Sequence, residues 1–318
     1  MKKPLQLAVQ YLTLFFIVLT LNFVLVRMMP GSPLDYLSEN PEAVTPLMND
    51  EIRSLLLSYY GLDKPLHVQF IDYLAGILRG DLGYSIYYAQ PVMVVVLPYL
   101  MRSLILVFMG FVITLAISLP LGVVSAWKRS SKLDTFLTST MVIMRSMPPF
   151  FVAMMFLLLF IYKLKMFPLT SYAYGESLTE ILYRALLPST VFALCEVGGI
   201  YYFVRNAVLE VIGEEFVLLA RAKGLKDRIL MFRHVFKAAL PAISARISIF
   251  LGFSFASSMF VEYVFTYPGI MTLLTIAYDN YDYPLLHAIL LILMSVIIFA
   301  NMLADLVMVI ADPRIRTQ

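Results

Sequence analysis

Long apolar runs separated by short charged segments make up most of the chain. A helix needs about 20 apolar residues to cross a bilayer, and six of the runs reach that length or come close to it. The first run follows Lys2 and Lys3. It is longer than the core of a signal peptide and has no small-residue cleavage site, so we expect it to remain as a helix. The six predicted spans cover residues 4–26, 103–127, 135–162, 185–204, 238–261 and 283–304.

The overall composition agrees with this pattern. Hydrophobic residues make up 61% of the 318 residues and charged residues 14%, and the mean hydropathy is +0.84. Soluble domains contain about 25% charged residues, so an ordinary cytosolic enzyme is excluded. The net charge of +3 is too small to indicate nucleic-acid binding. The sequence therefore predicts an all-α integral membrane protein with the lipid bilayer as its solvent.

The distribution of basic residues predicts the orientation of the spans. With the N-terminus inside, the inner segments contain fourteen Lys and Arg residues, and the outer segments contain six when Arg27 and Arg102 at the span ends are left out. Basic residues are enriched on the cytoplasmic side of membrane proteins. We therefore expect a multi-pass membrane protein with both termini in the cytoplasm.

The longest outer segment, residues 29–98, has a helical pattern of its own. It carries eight acidic residues against three basic ones. A helix capped by Asn49 or Asp50 is expected to end at Gly61, and a second, amphipathic helix from about Pro65 is expected to end before Gly80. These elements predict a small helical region between the first two spans.

The inner segment 205–241 alternates charged and apolar residues at helical spacing. We expect a helix, a turn at Gly224 and a second helix. Small residues at 220, 222 and 224 allow the backbone of a partner to approach closely, and the flanking basic side chains supply polar contacts. The pattern is typical of a protein docking surface, with a basic helix on anionic lipid as the alternative.

Three charged residues fall inside the predicted spans: Arg145, Glu196 and Arg246. A charge at a helix centre costs about 2.5 to 3.5 kcal/mol, so these side chains are expected to face protein or water, and they are candidates for a solute pathway. Charged residues near helix ends, such as Glu262, are expected to snorkel or cap. The Gly198-Gly199 pair in the fourth span favours close helix packing over a substrate gate.

Recognisable catalytic motifs are absent from the sequence. It has no phosphate-binding loop, no dinucleotide fingerprint, no His-Glu-x-x-His and no Gly-x-Ser-x-Gly. The single cysteine, Cys195, and three scattered histidines lack metal-ligand spacing. We therefore predict a chain that is not an enzyme and has no catalytic, cofactor-binding or metal-binding residues. A carrier driven by an ion gradient is the alternative, because of the charged residues in the spans.

Four motifs occur along the chain: Gly80-Asp-Leu-Gly-Tyr-Ser85, Ala220-Arg-Ala-Lys-Gly-Leu225 followed by Arg233-His234, Tyr267-Pro-Gly-Ile270, and Asp312-Pro-Arg-Ile-Arg316. Together with the six-span layout, they resemble the permease subunits of ATP-binding-cassette importers, and in particular the first permease subunit of the dipeptide/oligopeptide family. The general importer signature has Glu-Ala-Ala before the glycine. In this chain Leu218, Leu219 and Ala220 occupy those positions.

The resemblance implies a protein of the inner (cytoplasmic) cell membrane that works together with several other subunits. A second, homologous permease would form a heterodimer with this chain, two cytoplasmic ATPases would bind ATP and magnesium, and an extracytoplasmic solute-binding protein would deliver the cargo. Residues 214–232 would form a coupling helix that docks on one ATPase. The implied coupling residues are Glu215, Ala220, Arg221, Ala222, Lys223, Gly224, Leu225 and Arg228, and the receptor-docking candidates are Asp81, Tyr84 and Tyr267.

The resemblance also implies the cargo class and the organisation of the chain. Di- or oligopeptides are expected, and the same kind of machinery also imports nickel chelates, glutathione or oligosaccharides. The expected organisation is an N-terminal spanning helix (1–28), an extracytoplasmic helical region (29–98), a five-helix core (99–310) that contains the coupling segment 205–241, and a cytoplasmic tail (311–318).

Overall fold

The computed structural model of the chain describes residues 2–29, 58, 63–168 and 177–311. The motif that begins at Asp312 lies outside these residues, and so does the helix expected from Asn49 or Asp50 to Gly61, except for residue 58. The described elements are α1 (Lys2–Arg27), α2 (Leu66–Arg79), β1 (Tyr84–Ser85), β2 (Gln90–Pro91), α3 (Val92–Trp127), α4 (Lys132–Ser146), α5 (Pro149–Phe156), α6 (Leu178–Ile212), α7 (Glu215–Ala222), α8 (Asp227–Ile229), α9 (Phe236–Phe265), α10 (Ile270–Asp279) and α11 (Tyr283–Ala311).

Two stretches of π-helix extend these elements. One, Leu157–Lys163, continues α5, and the other, Leu230–Val235, joins α8 to α9. Short π-helical stretches inside α-helices add a residue to one turn and shift the faces that follow. The stretch from α8 to the end of α9 is therefore one continuous helix with a local change of register.

Five helical segments of the described chain are long and apolar enough to cross a membrane. They are α1, α3, α6, the continuous stretch from α8 through α9, and α11. The pair formed by α4 and α5 is a sixth crossing when its two halves are taken together. The predicted fold class, a helical membrane protein with six spans, is confirmed on this count.

The third predicted span, residues 135–162, is not a single straight helix. The segment Lys132–Ser146 meets the segment Pro149–Lys163 at an angle of 95°. Met147 and Pro148 have extended backbones, with ψ values of 129° and 135°. A residue that precedes a proline is driven out of the helical region, and here Met147 and Pro148 both precede one. The Pro148-Pro149 pair was therefore the sequence signal for the bend.

The second and fourth spans are among those that extend beyond their predicted limits. The second begins at Val92 rather than at residue 103, because Arg102 is buried in the protein and does not interrupt the helix. The fourth begins at Leu178 behind a capping box. In this box the Ser177 hydroxyl accepts a hydrogen bond from the Glu180 N–H, and the Glu180 carboxylate accepts one from the Ser177 N–H.

The predicted helix after Pro65 is confirmed as α2, which ends at Gly80 in the left-handed conformation with φ of 75°. A short hairpin that the sequence analysis did not predict follows it. Tyr84 pairs with Pro91 and Ser85 pairs with Gln90 in antiparallel register. Each strand has only two residues, which is too short for an alternating pattern of polar and apolar positions to reveal.

The chain divides into two compact units. The first contains Met1–Leu100 and Thr272–Val296, and the second contains Met101–Met271 and Ile297–Gln318. In the first unit, the Phe23 ring of α1 lies 5.2 Å from the Phe70 ring of α2 and 5.9 Å from the His287 ring of α11, measured between centroids. These aromatic contacts join the three helices.

In the second unit, α6 is the central helix and packs mainly against α9 and α4. The ring of Phe192 on α6 stacks on Phe250 of α9 with 6.4 Å between centroids. Phe250 in turn stacks on Phe111 of α3 at 5.4 Å. Without a hydrophobic driving force in lipid, packing of this kind is a main source of attraction between helices.

Candidate functional site

The segment after α6 presents an exposed apolar surface on a short helix. Helix α7 is anchored by Val217, which is only 2% exposed. Leu218 and Leu219, which follow it, are 62% and 60% exposed, and Phe216 is also exposed. Charged side chains flank this surface, with Glu214 and Glu215 before it and Arg221 and Lys223 after it. A contiguous apolar patch with a polar rim is typical of a protein interaction site.

The turn after α7 requires a glycine for conformational reasons. Gly224 has φ of 77°, in the left-handed region that residues with a Cβ rarely adopt. Its N–H donates to the carbonyl of Arg221, and the Leu225 N–H donates to the carbonyl of Ala220. A Cβ at Gly224 would have no neighbour within 4 Å, so the space beside it is open. The predicted turn at Gly224 between two helices is confirmed, and a further break at residues 213–214, which was not predicted, separates α7 from α6.

Arg221 packs against the end of the second span. Its guanidinium carbon lies 5.4 Å from the centre of the Trp127 ring, a cation–π contact with the last residue of α3. Of the remaining predicted coupling residues, Ala222, Lys223 and Arg228 are exposed, and Ala220 and Leu225 are half-buried. The contact with Trp127 connects α7 to a membrane-spanning helix.

A buried polar cluster, which we call the junction cluster, joins three helices two residues before Trp127. It consists of Ser125 on α3, Asp134 and Thr138 on α4, and Tyr201 and Arg205 on α6. Arg205 donates to both carboxylate oxygens of Asp134, from Nε and from one terminal nitrogen, at 2.9 Å each. The Ser125 hydroxyl donates to the same carboxylate at 2.5 Å. Such a bidentate pair fixes orientation as well as charge.

Tyr201 completes the junction cluster. Its hydroxyl lies 2.5 Å from the Ser125 hydroxyl and 3.1 Å from the Thr138 hydroxyl. Because Ser125 gives its proton to Asp134, the Tyr201 hydroxyl is the donor to Ser125. Every charged or polar atom that we name here thus has a partner, which is the condition under which a buried ion pair is tolerated.

Glu196 interacts electrostatically with the other two pathway candidates. Ser257 on α9 donates a hydrogen bond to the Glu196 carboxylate, and the guanidinium groups of Arg246 and Arg145 are near enough to attract it. Glu196 and Arg246 are half-buried and Arg145 is exposed. The structure therefore brings together residues from α4, α6 and α9 that are far apart in the sequence.

The Gly198-Gly199 pair serves close packing at its first position. A Cβ at Gly198 would lie 2.8 Å from the carbonyl oxygen of Met141 on α4. Gly199 faces open space. The interpretation of close helix packing is thus supported at Gly198. This contact holds α6 against α4 next to Arg145, one of the pathway candidates.

A buried corner follows α9 and contains the Tyr267-Pro-Gly-Ile motif. The carboxylate of Glu262 accepts hydrogen bonds from the Met271 N–H, at 3.0 Å, and from the Ser103 hydroxyl. The Ser103 hydroxyl accepts a hydrogen bond from the Ile270 N–H at 2.8 Å. Glu262 therefore caps the first turn of α10, as expected for a charged residue near a helix end.

The receptor-docking candidates occupy two different environments. Asp81 lies between α2 and the hairpin, Tyr84 lies on the hairpin, and both are exposed. Tyr267 is only 1% exposed, and its hydroxyl donates to the carbonyl of Arg102 at 3.2 Å. Any part that Tyr267 takes in docking would therefore be indirect, through the shape of the corner.

Asp282 holds the hairpin that carries Tyr84. It is fully buried, and one of its carboxylate oxygens accepts from the Ser85 hydroxyl at 2.5 Å and from the Tyr87 N–H at 3.0 Å. Its other oxygen accepts from the Leu285 N–H at the start of α11. These bonds explain the serine of the Gly80–Ser85 motif.

The sequence analysis did not single out Asp134 and Arg205, which pair in the junction cluster, or Trp127, which contacts Arg221. It counted Arg205 only among the basic residues of an inner segment. A signal for Asp134 was present, because Ser131 caps α4 by accepting a hydrogen bond from the Asp134 N–H. The pairing with Arg205 had no signal, since the two residues are 71 positions apart. Among the described residues, no three His, Cys, Asp or Glu side chains are grouped so that they could hold a metal ion.

Comparison with known proteins identifies the class of protein. Residues 118–317 match the family model described as binding-protein-dependent transport system inner membrane component. This match covers more than half of the chain, so the chain belongs to that family. It is therefore an inner membrane component of a transport system.

Relatives along nearly the whole chain are named as peptide permeases. The oligopeptide transport system permease protein AppB of Bacillus subtilis (strain 168) is 28% identical over 299 residues, which cover 93% of each chain. A putative peptide permease protein of Brucella suis biovar 1 is 30% identical over 301 residues, also 93% of each chain. A putative peptide transport system permease protein of Brucella abortus (strain 2308) is 30% identical over 308 residues, 96% of each chain.

A solved structure shares the fold. The chain is similar to one in the inward-facing MetNI methionine ABC transporter, with a TM-score of 0.58 and 18% identity. The similarity covers 69% of this chain and 97% of the other. At this identity the likeness concerns the fold alone.

Proposed function

We propose that this chain forms half of the transmembrane pathway of an ATP-driven importer for di- or oligopeptides. In this proposal a second, homologous permease subunit completes the pathway, two cytoplasmic ATPases bind ATP and magnesium, and an extracytoplasmic binding protein delivers the peptide. The chain itself performs no catalysis and binds no cofactor. Family membership and relatives named as peptide permeases support the proposal.

The exposed surface of α7 is the observation that carries the ATPase partnership. Leu218 and Leu219 are exposed beside the buried anchor Val217, and the open side of Gly224 leaves room for a partner backbone. An apolar patch of this kind on a short helix, with charges at both ends, suits insertion into a cleft of a partner protein. The charged rim adds specificity and speeds association.

Movement of α7 would reach the spans through two contacts. Arg221 packs on Trp127 at the end of α3, and the junction cluster ties α3 to α4 and α6 next to that point. Because these contacts hold three spans to one another, a displacement of α7 by the ATPase would move them as a rigid body. Rigid-body rotation of packed helices is an established form of switching between two states.

Both termini and α7 lie in the cytoplasm in this proposal, since the inner segments hold fourteen of the basic residues. Asp81 and Tyr84 then lie on the outer face, where the binding protein docks. Peptide remains the proposed cargo, with nickel chelates, glutathione and oligosaccharides as alternatives for the same machinery.

Purification of the tagged chain from native membranes tests this proposal. We expect two ATPase subunits and a second permease to copurify, and we expect ATP hydrolysis by the assembly to rise when peptide-loaded binding protein is added. A chain that purifies without an ATPase contradicts the proposal. An assembly that is stimulated by another cargo, but not by peptides, contradicts the cargo assignment alone.

A carrier driven by an ion gradient is a second candidate, because Glu196 lies near Arg145 and Arg246 within the spans. Membrane vesicles separate the two functions. Uptake that requires ATP and survives collapse of the ion gradient supports the importer, and the opposite result supports the carrier.

A further inference from the structure

A cavity in the first unit, lined by both polar and apolar side chains, shares only Asp81 with the function proposed above. It has a volume of about 280 Å³ and lies where the end of α1, one face of α2 and the start of α11 meet. Its lining includes one cation, Arg27, two carboxylates, Asp72 and Asp81, and the side chains of Tyr73 and His287. This volume is close to the lower limit for ligand pockets, so it suits a small polar group.

Several buried polar atoms at this cavity have no partner among the described residues. His287 is 8% exposed, and both of its ring nitrogens lack a hydrogen-bond partner within the part of the chain that the structure covers. The same is true of the Nε atom of Arg27. Buried donors and acceptors are nearly always paired, and leaving one unpaired costs about 1 to 3 kcal/mol. The Nε–H of Arg27 and the one ring N–H of a neutral His287 are therefore available to donate to a ligand oxygen.

Among the described residues, Arg27 has no carboxylate partner. Its guanidinium lies over the rings of Phe23, at 5.5 Å, and Tyr283, at 5.6 Å. The Tyr73 hydroxyl accepts a hydrogen bond from Asn22, and burial raises the pKa of Tyr73 to about 12, so the hydroxyl keeps a proton to donate. Three donors thus converge where an anionic group would lie.

The two carboxylates restrict the ligand further. Lys64 pairs with Asp72 at 2.7 Å, and Asp81 accepts a hydrogen bond from the Gly83 N–H. Each keeps oxygen lone pairs for another donor. A ligand with only negative charge would be repelled by these groups, whereas a zwitterion would satisfy both sets of residues.

The position of the cavity points to the membrane surface as the source of the ligand. Arg27 is the last residue of one span and Tyr283 the first of another. Helix α2 turns its cavity face, with Asp72 and Tyr73, away from Ile71 and Leu78, which are exposed on its other side. A helix with an exposed apolar side next to the ends of spans is typical of the interface, at the depth of lipid headgroups.

We propose that this cavity binds the headgroup of an aminophospholipid, with its phosphate toward Arg27, Tyr73 and His287 and its ammonium toward Asp72 and Asp81. Arginine is well suited to phosphate because its planar fork donates two hydrogen bonds. The acyl chains would lie along the apolar surfaces of α1 and α11. A bound lipid would fix α2 against the two spans.

Titration of the delipidated, full-length chain with dihexanoyl-phosphatidylethanolamine tests the proposal, with bound lipid counted by native mass spectrometry. We expect binding about tenfold tighter than that of dihexanoyl-phosphatidylglycerol, which lacks the ammonium group. Arg27→Gln should weaken binding of the phosphatidylethanolamine by about tenfold or more, which corresponds to about 1.4 kcal/mol. Arg79→Gln is the matched control, because Arg79 is exposed at the end of α2 and does not line the cavity. It should change affinity less than twofold.

Several results would overturn the proposal. Equal losses of lipid affinity in Arg27→Gln and Arg79→Gln would indicate that the lipid is attracted to basic side chains in general. Equal affinity for the two lipids would show that the carboxylates do not bind the ammonium group. Binding of glycylglycine with no binding of lipid would make the cavity a site for a soluble zwitterion.

If Arg27→Gln fails to fold, Tyr73→Phe is a second variant that removes only a hydroxyl, and it should weaken lipid binding about threefold. Unchanged binding in Tyr73→Phe would count against the site. None of these measurements depends on transport or on an ATPase.

Discussion

Arg205 donates two hydrogen bonds of 2.9 Å to the carboxylate of Asp134, across 71 positions of sequence and between two helices. The pair is largely buried and shares its carboxylate with Ser125. Removal of one partner from a buried ion pair leaves an uncompensated charge. The ion pair therefore connects α6 to α4, and the hydrogen bond from Ser125 connects α3 to the same carboxylate.

Asp134→Ala should lower the free energy of unfolding by about 3 kcal/mol, because it leaves the Arg205 charge unpaired. Thermal unfolding of the purified protein in detergent measures this loss. The double variant Asp134→Leu with Arg205→Met should recover most of it, since well-packed apolar residues often replace a buried pair without loss. An unchanged midpoint in Asp134→Ala alone would show that the pair contributes nothing.

Gly269→Ala should disrupt the corner after α9. A Cβ at this position would overlap the carboxylate of Glu262 and lie 2.6 Å from the hydroxyl of Ser103, so the cap of α10 would have to move. Overpacking of this kind costs about 1 to 3 kcal/mol. Gly199→Ala is the matched control, because its Cβ would face open space within a helix. Equal unfolding midpoints for the two variants would contradict the steric interpretation.

Leu219→Asp should abolish copurification of the ATPase while it leaves the unfolding midpoint unchanged. The side chain is exposed, so the charge costs little in the isolated chain but opposes burial in a partner. Leu133→Asp, also exposed but on α4, should retain the ATPase. If Leu219→Asp still copurifies with the ATPase, α7 is not the docking surface.

Two substitutions at Gly224 distinguish the need for its left-handed backbone from the need for the open space beside it. Gly224→Asn should weaken ATPase docking less than Gly224→Val, because asparagine tolerates the left-handed conformation and only fills part of the open space, whereas valine also strains the turn and should weaken docking about tenfold or more. Binding of the purified ATPase to the chain in nanodiscs measures both. Equal weakening by Asn and Val would mean that the partner needs the open space beside Gly224, and no change with either would remove the turn from the interface.

Glu196→Gln should reduce ATP-dependent uptake about tenfold, because it removes the charge that faces Arg246 and Arg145. Glu210→Gln on the same helix is the matched control, since Glu210 is exposed. Reconstituted vesicles with peptide-loaded binding protein provide the measurement. A similar uptake in wild type and Glu196→Gln would exclude the carboxylate from the pathway.

The sequence alone determined the class of the protein and most of its elements. Apolar runs longer than a bilayer is thick require spanning helices, because backbone groups in lipid must be satisfied within the segment. Local sequence signals also predicted the helix ends at Gly80 and Gly224, where a glycine follows an amphipathic run. The motif order was enough to indicate the permease family, because motifs and spans follow one another along the chain.

The tertiary structure decided which distant residues meet. Asp134 pairs with Arg205. Glu262 accepts hydrogen bonds from the Met271 N–H and the Ser103 hydroxyl. Glu196 interacts electrostatically with Arg246. None of these pairings produces a periodic pattern in the sequence, because the hydropathy of a residue indicates whether its side chain is buried and not which helix it faces. Tyr267 illustrates the same limit: its motif suggested a docking residue, and the packing of the corner buried it. The contacts depend on how helices approach and bend, and the chain fixes these only once it has folded.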